Sequence, residues 1–278
     1  MGMIELIRRM IPFRVRRFLR TCIRGAVGPS MTDAEIEAKQ RRDIQRYEDG
    51  NIPPPPKKLQ VRVIGLYSPH FIESGWHTFN VFEQALAKAG RPIRSFESVL
   101  DFGCGCGRVT RSFRQMSPHA KLFGSDVDGE AIHWLNQNYH TFAEFSVNGP
   151  MPPLRFENET FDLIYCISVF THLPEDMQRA WLAELQRVAR RNAIVLLTVY
   201  GQKQYLDLNA SNRAEFLKKG FFYVHERVST TEGLPSFYQT TFHSHEYVRS
   251  VWGEYFEVLN IEPLAIDSHS DLIVLRKA

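Results

Sequence analysis

Apolar and polar residues follow two different periods between about residue 98 and residue 275. Short apolar runs of five to eight residues, which favour β-strands, alternate with stretches in which apolar residues recur every three or four positions, which favour helices. Strands that alternate with helices pair in parallel, so the pattern predicts an α/β fold with a mostly parallel sheet. The predicted strands are 98–102, 120–125, 143–147, 160–167, 193–199, 256–261 and 272–275, and the predicted helices are 108–116, 129–139, 174–190 and 245–252.

The chain upstream of this pattern has helical signals of its own. A capping box at 32–35 predicts a polar helix that runs to about Glu48. Four prolines at 53–56 predict a stiff extended spacer, and the apolar spacing over 75–89 predicts another helix. We therefore expect two parts, an N-terminal helical extension over 1–52 and a main domain over 53–278.

The N-terminal segment, residues 1–24, has the pattern of a basic amphipathic helix. Seven arginines against one acid give it a net charge of +6, and five apolar residues share one side. Such a helix suits the surface of an anionic membrane, with the arginines on the lipid headgroups. The alternatives are a helix packed on the main domain, a docking site for an acidic partner and an organellar transit peptide. The apolar residues are Val15, Phe18, Leu19, Cys22 and Ile23.

Composition narrows the class of protein. With 278 residues and 44% hydrophobic content, the chain is long enough for one substantial core. The total charge of +3 leaves −3 for residues 25–278, which argues against nucleic acid as substrate or partner. Four cysteines without the spacing of a disulfide framework indicate a reducing, cytoplasmic compartment. Cys104 and Cys106 have no second ligand pair at metal-binding spacing, and no carboxylate cluster is evident, so we expect no metal.

The stretch from residue 98 to residue 107 is the most informative. A short apolar strand ends at Asp101 and is followed by glycines at alternate positions, 103, 105 and 107, together with Cys104. Glycine allows positive φ and a close approach of the main chain to a ligand, so we expect a backbone cradle with the Asp101 side chain in the same crevice. The third glycine of a dinucleotide fingerprint would stand at position 108, which is Arg.

A second acid, at the end of the next strand, completes this pattern. Asp126 suits a ribose diol, because a carboxylate can accept hydrogen bonds from both hydroxyls, and Asp128 suits the N-cap of the following helix. The chain resembles the class I S-adenosylmethionine-dependent methyltransferases over roughly residues 90–275. The resemblance is carried, in order, by the glycine motif at 101–107, Asp126, the strand at 161–166, the turn at 168–173 and the strand at 193–199. The resemblance implies a Rossmann-like, seven-stranded sheet with an antiparallel C-terminal hairpin, and S-adenosyl-L-methionine as cofactor. The cofactor-binding residues that it implies are Asp101, Gly103, Cys104, Gly105, Gly107, Asp126, Val127, Asn148 and Ser168.

An insertion at 200–243 interrupts the alternation, with one predicted helix over 213–219. Long excursions after a sheet strand often build substrate pockets, so we expect the insertion to cap the acceptor. The candidates for general base are His172, just past the fourth strand, and His243; the candidates for acceptor contact are His225, Tyr200 and Tyr238. The alternative for each of these residues is packing or helix capping.

The acceptor is less constrained than the cofactor. Four stretches, at 53–76, 101–108, 168–173 and 238–248, resemble bacterial methyltransferases found with polysaccharide glycosyltransferases. This resemblance implies a hydroxyl of a glycan or glycoconjugate as acceptor and, with the basic N-terminal segment, the inner face of the cell membrane as location. O- or N-methylation of a small aromatic or polyketide-like metabolite is the alternative reaction. A non-catalytic, cofactor-binding scaffold is the alternative class. Oligomeric state is open at this point.

Overall fold

The computed structural model describes residues 31–48, 52–116, 119–201, 205–224, 235 and 237–278. The predictions for the basic segment at 1–24 and for His225 lie outside these residues. The strands of the main sheet are β1 (Ser98–Phe102), β2 (Lys121–Asp126), β3 (Ala143–Val147), β4 (Phe161–Cys166), β5 (Ala189–Val199), β8 (Glu257–Ile266) and β9 (Ser270–Arg276), and a separate pair is formed by β6 (Phe221–Tyr223) and β7 (Thr241–His243). The order in the main sheet is β3-β2-β1-β4-β5-β9-β8, and every neighbouring pair is parallel except those that involve β9. This confirms the predicted fold class.

The helices begin and end close to the predicted positions where a capping residue fixes them. Thr32 and Glu35 form the expected capping box, Asp128 caps the helix that follows β2, and Gly220 ends the insertion helix in a left-handed conformation. The helix predicted from residue 75 begins four residues earlier, at Phe71, where no side chain caps it. The helices are α1 (Asp33–Tyr47), α2 (Lys57–Ile64), α3 (Phe71–Lys88), α4 (Thr110–Met116), α5 (Gly129–Asn138), α6 (Glu175–Val188), α7 (Ala210–Lys219) and α8 (His245–Val251).

Both faces of the sheet are covered. On one face α6 buries Trp181 against Phe102, with their ring centroids 4.6 Å apart. On the other face α3 buries Phe82 beside Tyr165. The strand order reverses between β1 and β4, and in open α/β sheets the crevice at such a point binds ligands. The fold therefore places the ligand crevice at the carboxyl ends of β1 and β4.

Two segments outside the sheet cover this crevice. We call α1 and α2, with the residues described between them, the N-terminal cover (31–48 and 52–64). Gln40 of α1 and Gln60 of α2 exchange two side-chain amide hydrogen bonds of 2.8 and 2.9 Å, and both side chains are fully buried. Glu48, just after α1, forms a two-point ion pair with Arg111 of α4 at 2.7 and 2.8 Å. The N-terminal cover is thus attached to the main domain through buried polar groups.

The second covering segment is the insertion at 200–243. The sequence predicted its helix but not its strands: β6 and β7 are three residues each, and the Tyr200–Phe242 bridge joins β7 to the end of β5. Strands this short carry too little alternation to be recognised from pattern alone. Tyr200, Leu208, Phe216, Phe222 and Phe242 form a small apolar cluster inside the insertion. Among the described residues, no helix is long and apolar enough to cross a membrane.

Candidate functional site

One cavity opens at the carboxyl ends of β1, β2 and β4. In open α/β sheets this edge is where ligands bind. The cavity has a polar side, next to β2, and an apolar side, next to α6 and the insertion. The polar side is lined by Arg62, Gly103, Gly105, Asp126, Asp128, Asn148 and Ser168, and the rest by Val63, Phe102, Val127, Pro150, Ile167, Val169, Leu173, Trp181, Pro235, Phe237 and Tyr238.

The glycine loop, residues 103–107, forms the floor of the polar side. Gly103 and Gly105 have φ values of +75° and +53°, and a Cβ on either residue would lie 2.3 Å from Val169 or 2.6 Å from Val63. These two positions therefore require glycine both for the backbone and for the space. Gly107 also has positive φ, but a Cβ there would meet Leu135 and Tyr139, away from the cavity lining. Its role is packing against α5.

Asp126 connects this loop to the end of β2. One carboxylate oxygen accepts the Gly105 N–H at 2.7 Å, and the other accepts the Asp128 N–H at 2.8 Å. Burial raises the pKa of the Asp126 carboxyl above its usual value, against these backbone hydrogen bonds, which lower it. The carboxylate lines the cavity and retains lone pairs for a diol. Asp128 caps α5, as expected, through the Glu130 and Ala131 N–H groups.

Asp101 and Cys104 do not take part in the cavity lining. The Asp101 carboxylate accepts hydrogen bonds from the Thr110 and Tyr165 hydroxyls and is buried beneath the glycine loop, so the expectation that its side chain points into the crevice is wrong. Burial raises the pKa of Asp101 to about 7. The Cys104 thiol is also buried, which raises its pKa, and it packs with the apolar side chains on the α3 face of the sheet.

The two remaining predicted cofactor contacts at the polar side, Asn148 and Ser168, both line the cavity. Asn148 accepts a 2.7 Å hydrogen bond from Ser125 through Oδ1 and donates one to the Gly149 carbonyl. Ser168 has a φ of +57°, and its N–H donates to Thr198 Oγ1 at 2.8 Å. These bonds fix both residues at the cavity, where Val127 is also part of the lining.

The insertion supplies part of the apolar side of the cavity. Tyr238 lies against the loop that follows β4: its hydroxyl donates to the Ser168 carbonyl at 2.9 Å, and its ring stacks on His172 with centroids 4.1 Å apart. Pro235 and Phe237 line the cavity beside it. Tyr238 thus lines the cavity, and its predicted contact with the acceptor stays a prediction.

His172 is buried and does not line the cavity. Its Nδ1 lies 2.7 Å from the Gln239 carbonyl, and the Gln239 N–H donates to the His172 carbonyl at 3.1 Å. His172 therefore fastens the insertion to the loop after β4, and Tyr238, whose ring stacks on it, lines the cavity in its stead. Nδ1 must carry a proton to donate to a carbonyl, so the neutral tautomer has its hydrogen there.

His243 and Tyr200 are core residues, contrary to their predicted roles. His243 Nε2 donates to Gln178 Oε1 at 2.8 Å, and its ring is enclosed by Phe221, Tyr247 and Trp252. Burial lowers the pKa of His243 to about 3, so the imidazole is neutral at neutral pH and has no access to an acceptor. Tyr200 is 1% exposed, within the apolar cluster of the insertion.

The residues of the cavity fit an adenosine-bearing cofactor. Gly103 and Gly105 border the cavity with main chain and no side chain of their own, and Asp126 offers carboxylate oxygens at its edge. Asp126 would hold the ribose hydroxyls, and Val127 with Asn148 would border the base. Among the lining residues that the structure describes there is no histidine, and the described part of the chain holds no group of three potential metal ligands.

Arg62 and Val63 line the cavity, but no sequence pattern singled them out. They belong to α2, which follows the proline spacer, and their contacts lie 66 and 42 positions away along the chain, at Asp128 and Gly105. The two residues are i and i+1 on a short helix, a spacing that carries no functional pattern. Trp181 and Phe102 were missed for a different reason: their apolar spacing indicates core.

Comparison with known proteins agrees with this geometry. The protein family described as "Methyltransferase domain" matches residues 99–192, from β1 into β5. The match covers the glycine loop, Asp126 and the turn after β4. It confirms the predicted methyltransferase domain and enzyme class, and with them S-adenosylmethionine as the cofactor of that domain.

Two curated relatives are malonyl-[acyl-carrier protein] O-methyltransferases. The one from Hahella chejuensis is 29% identical over 106 residues, which are 38% of this chain and 36% of the relative. The one from Halalkalibacterium halodurans is 25% identical over 178 residues, 62% of this chain and 60% of the relative. The chain thus matches less than two thirds of the length of either relative.

Solved structures show the same fold at low identity. An S-adenosylmethionine-dependent methyltransferase from Methanosarcina mazei has a TM-score of 0.50 at 19% identity, covering 65% of this chain and 92% of its own. A protein from Pyrococcus horikoshii has a TM-score of 0.53 at 17% identity, covering 72% and 90%. These similarities confirm the Rossmann-like architecture.

Proposed function

We propose that this chain, which carries an S-adenosylmethionine-dependent methyltransferase domain, transfers a methyl group to an oxygen atom of an uncharged, ring-bearing acceptor, in the first place a hydroxyl of a glycan or glycoconjugate. One observation carries the proposal: a single cavity joins the glycine loop and Asp126 to an aromatic wall that includes Phe237 and Tyr238. When bound, the cofactor supplies an electrophilic methyl group on a sulfonium, which the acceptor displaces in line.

The side chains of this protein contribute by orientation and by excluding water. The described lining residues on the apolar side carry no ionisable group other than the Tyr238 hydroxyl, which donates to the Ser168 carbonyl. His172 is behind Tyr238, and His243 stays neutral inside the core. A neutral hydroxyl held at this aromatic wall gains its rate from proximity and alignment, which can supply several kcal/mol of the barrier. With no histidine among the described lining residues, the hydroxyl proton passes to water as the new bond to oxygen forms.

The acceptor class rests on the chemistry of that wall. Aromatic rings stack on the apolar faces of sugars, which supports a glycan hydroxyl, and the curated relatives methylate oxygen. The second candidate is a small aromatic or polyketide-like metabolite, favoured by Phe102, Trp181 and Phe237 on the same side of the cavity. The glycine cradle and Asp126 oppose the third reading, a non-catalytic scaffold.

The test incubates the full chain with isotopically labelled cofactor and a panel of acceptors, and measures methyl transfer by mass spectrometry. The panel holds neutral oligosaccharides, lipid-linked oligosaccharides, phenols and a malonyl thioester. We expect transfer to sugar hydroxyls. Transfer to phenols alone would replace the glycan by the second candidate, and transfer to the malonyl carboxylate would extend the relatives' reaction to this chain. Asp126→Asn is the control for cofactor-dependent signal.

The proposed membrane location concerns residues 1–24, whose net charge is +6. We propose that this segment brings the domain to an anionic membrane surface, where lipid-linked glycans reside. Sedimentation with vesicles that contain phosphatidylglycerol should recover the full chain and should fail to recover a chain that starts at residue 25. Equal recovery of both would assign the basic segment to packing or to a protein partner.

A further inference from the structure

Arg62 makes the most extensive ionic contact at the cavity. It lies near the end of α2, and its Nη1 reaches both carboxylate oxygens of Asp128, at 3.1 and 2.8 Å. Its Nη2 reaches Glu130 at 2.8 Å. The side chain is 10% exposed and lines the cavity, whereas Lys58, one turn earlier on the same helix, is 54% exposed and pairs with Glu130 alone.

Asp128 connects Arg62 to the cofactor-binding residues. Its carboxylate caps α5, and its backbone N–H donates to Asp126, which in turn accepts the Gly105 N–H. A guanidinium that donates through Nη1 to both oxygens of Asp128 and through Nη2 to Glu130 therefore also fixes the turn that orients Asp126. The ion pair is nine-tenths buried while the contact is closed, so salt acts on it mainly by screening the two charges once the contact opens to solvent.

Val63, the residue after Arg62, contacts the glycine loop at Gly105. A Cβ on Gly105 would lie 2.6 Å from Val63 Cγ2, so the Val63 side chain occupies the space over that glycine. Helix α2 therefore meets the glycine loop through Val63 and the β2–α5 turn through Arg62. Any molecule cradled by Gly105 and Asp126 has α2 as its neighbour in the cavity.

We propose that Arg62 is a positioning residue that clasps the N-terminal cover over the bound cofactor, acting through Asp128 and Asp126. The proposal rests on the cofactor binding assigned to this domain and not on the choice of acceptor. It has a kinetic consequence: the cofactor or its product leaves when the Arg62–Asp128 contact opens. The escape rate therefore depends on this pair and on ionic strength.

The test measures binding of S-adenosylhomocysteine, without any acceptor, by calorimetry and by stopped-flow dissociation. The variant is Arg62→Met, and the matched control is Lys58→Met, which removes a cation from the same helix and from the same partner, Glu130. We expect Arg62→Met to raise the Kd and the dissociation rate by about tenfold, which lies within the usual range for coupling between two sites. Lys58→Met should stay within about twofold of the parent.

Two further measurements separate a clasp from a merely structural contact. Arg62→Lys keeps the charge but not the planar pair of nitrogens that reaches Asp128 and Glu130 together. It should therefore restore part of the affinity and leave the dissociation rate elevated. The parent protein should release S-adenosylhomocysteine several-fold faster at about 500 mM than at about 50 mM NaCl, and Arg62→Met should show little of this dependence. The salt dependence of the dissociation rate can be measured on the parent protein even if Arg62→Met does not fold.

The outcomes are distinct. If Arg62→Met lowers the melting temperature but leaves Kd and the dissociation rate unchanged, Arg62 only stabilises the fold and the clasp is wrong. A dissociation rate of the parent that ignores salt overturns it as well. If the parent itself does not bind S-adenosylhomocysteine, the cofactor assignment fails, which is a different result from the failure of the clasp.

Discussion

The N-terminal cover and the insertion close the same cavity from two sides, but they are attached by different chemistry. The N-terminal cover is held by charge, through Glu48–Arg111 and Arg62–Asp128. The insertion is held by neutral groups. Tyr238 stacks on His172, and the Thr241 hydroxyl donates to the Leu173 carbonyl.

This difference predicts how each segment responds to solution conditions. Buried ion pairs lose a great deal when one partner is removed, because the other charge is left without compensation. Neutral hydrogen bonds and ring contacts contribute less each and do not respond to salt. The cofactor side should therefore be sensitive to single charge changes, and the insertion to changes that force a charge into its core.

The largest expected effect comes from the buried pair of the N-terminal cover. Arg111 is 1% exposed, and Glu48→Gln leaves its charge without a carboxylate, which should lower the free energy of unfolding by about 3 kcal/mol in urea titration. Glu37→Gln is the control, since Glu37 pairs with Arg41 on the exposed side of the same helix and should cost less than about 0.5 kcal/mol. Equal losses for both variants would show that burial of the Glu48–Arg111 pair does not make the N-terminal cover sensitive to a single charge change.

The insertion side should respond to acid through His243. Its pKa is about 3 in the folded protein and near 6.5 when unfolded, so between these values the unfolded chain binds the extra proton and stability falls as pH falls. His243 should account for a loss of about 2 kcal/mol between pH 7 and pH 5.

His243→Leu should lose less stability than the parent over that interval, although it is less stable at pH 7 because Gln178 Oε1 loses its donor. Asp101 acts in the opposite direction, since burial raises its pKa to about 7. The informative quantity is therefore the difference between variant and parent in urea titrations at the two pH values. Parallel pH dependences would show that His243 takes up no proton on unfolding in this range.

The glycine loop allows a sharper test of the contact between the covers and the cofactor site. Gly105→Ala places a Cβ against Val63 at a φ of +53°, and we expect the Kd for S-adenosylhomocysteine to rise about tenfold. Gly90→Ala has the same backbone problem at a φ of +75° but meets nothing within 4 Å. Gly90→Ala should lose a similar amount of stability, because alanine is strained at positive φ, and should keep its affinity for S-adenosylhomocysteine. A similar loss of affinity in both would point to general destabilisation.

The smallest expected effect belongs to the Tyr238 hydroxyl. Tyr238→Phe keeps the ring on His172 and removes the hydrogen bond to the Ser168 carbonyl, which is a change of about 1 kcal/mol. We expect a several-fold rise in the KM for the acceptor, with the Kd for S-adenosylhomocysteine unchanged. Tyr247→Phe loses a comparable bond to Glu175 outside the cavity and should leave both constants unchanged. A rise in the cofactor Kd instead would move Tyr238 from the acceptor side to the cofactor side.

Local signals in the sequence predicted the elements whose cause is local. The capping box at Thr32, the cap at Asp128 and the apolar runs of the sheet depend on neighbours within a few residues, and these elements were placed correctly. The places of Gly103, Gly105 and Asp126 at the cavity also followed, because the carboxyl ends of β1 and β2 must meet at one edge of a parallel sheet. The boundary expected at residue 52 stays a prediction.

The roles of the histidines depended on contacts that no local pattern contains. His243 meets Gln178 at a separation of 65 residues, and His172 meets Gln239 at 67, so a histidine near the site was indistinguishable in sequence from a histidine in the site. Burial then excludes His243 as a general base, since it lowers the pKa of the imidazole to about 3 and separates the ring from any acceptor.

The sequence by itself thus determined the sheet and its ligand edge, since both follow from short-range backbone and hydrophobic requirements. The cofactor class followed from the resemblance of its motifs to those of class I methyltransferases. The tertiary structure alone decided which side chains enclose the cavity. It placed Arg62 against Asp128, 66 residues away, and Tyr238 in front of His172. Such contacts arise when separate segments pack, because enclosure and burial are properties of the assembled chain.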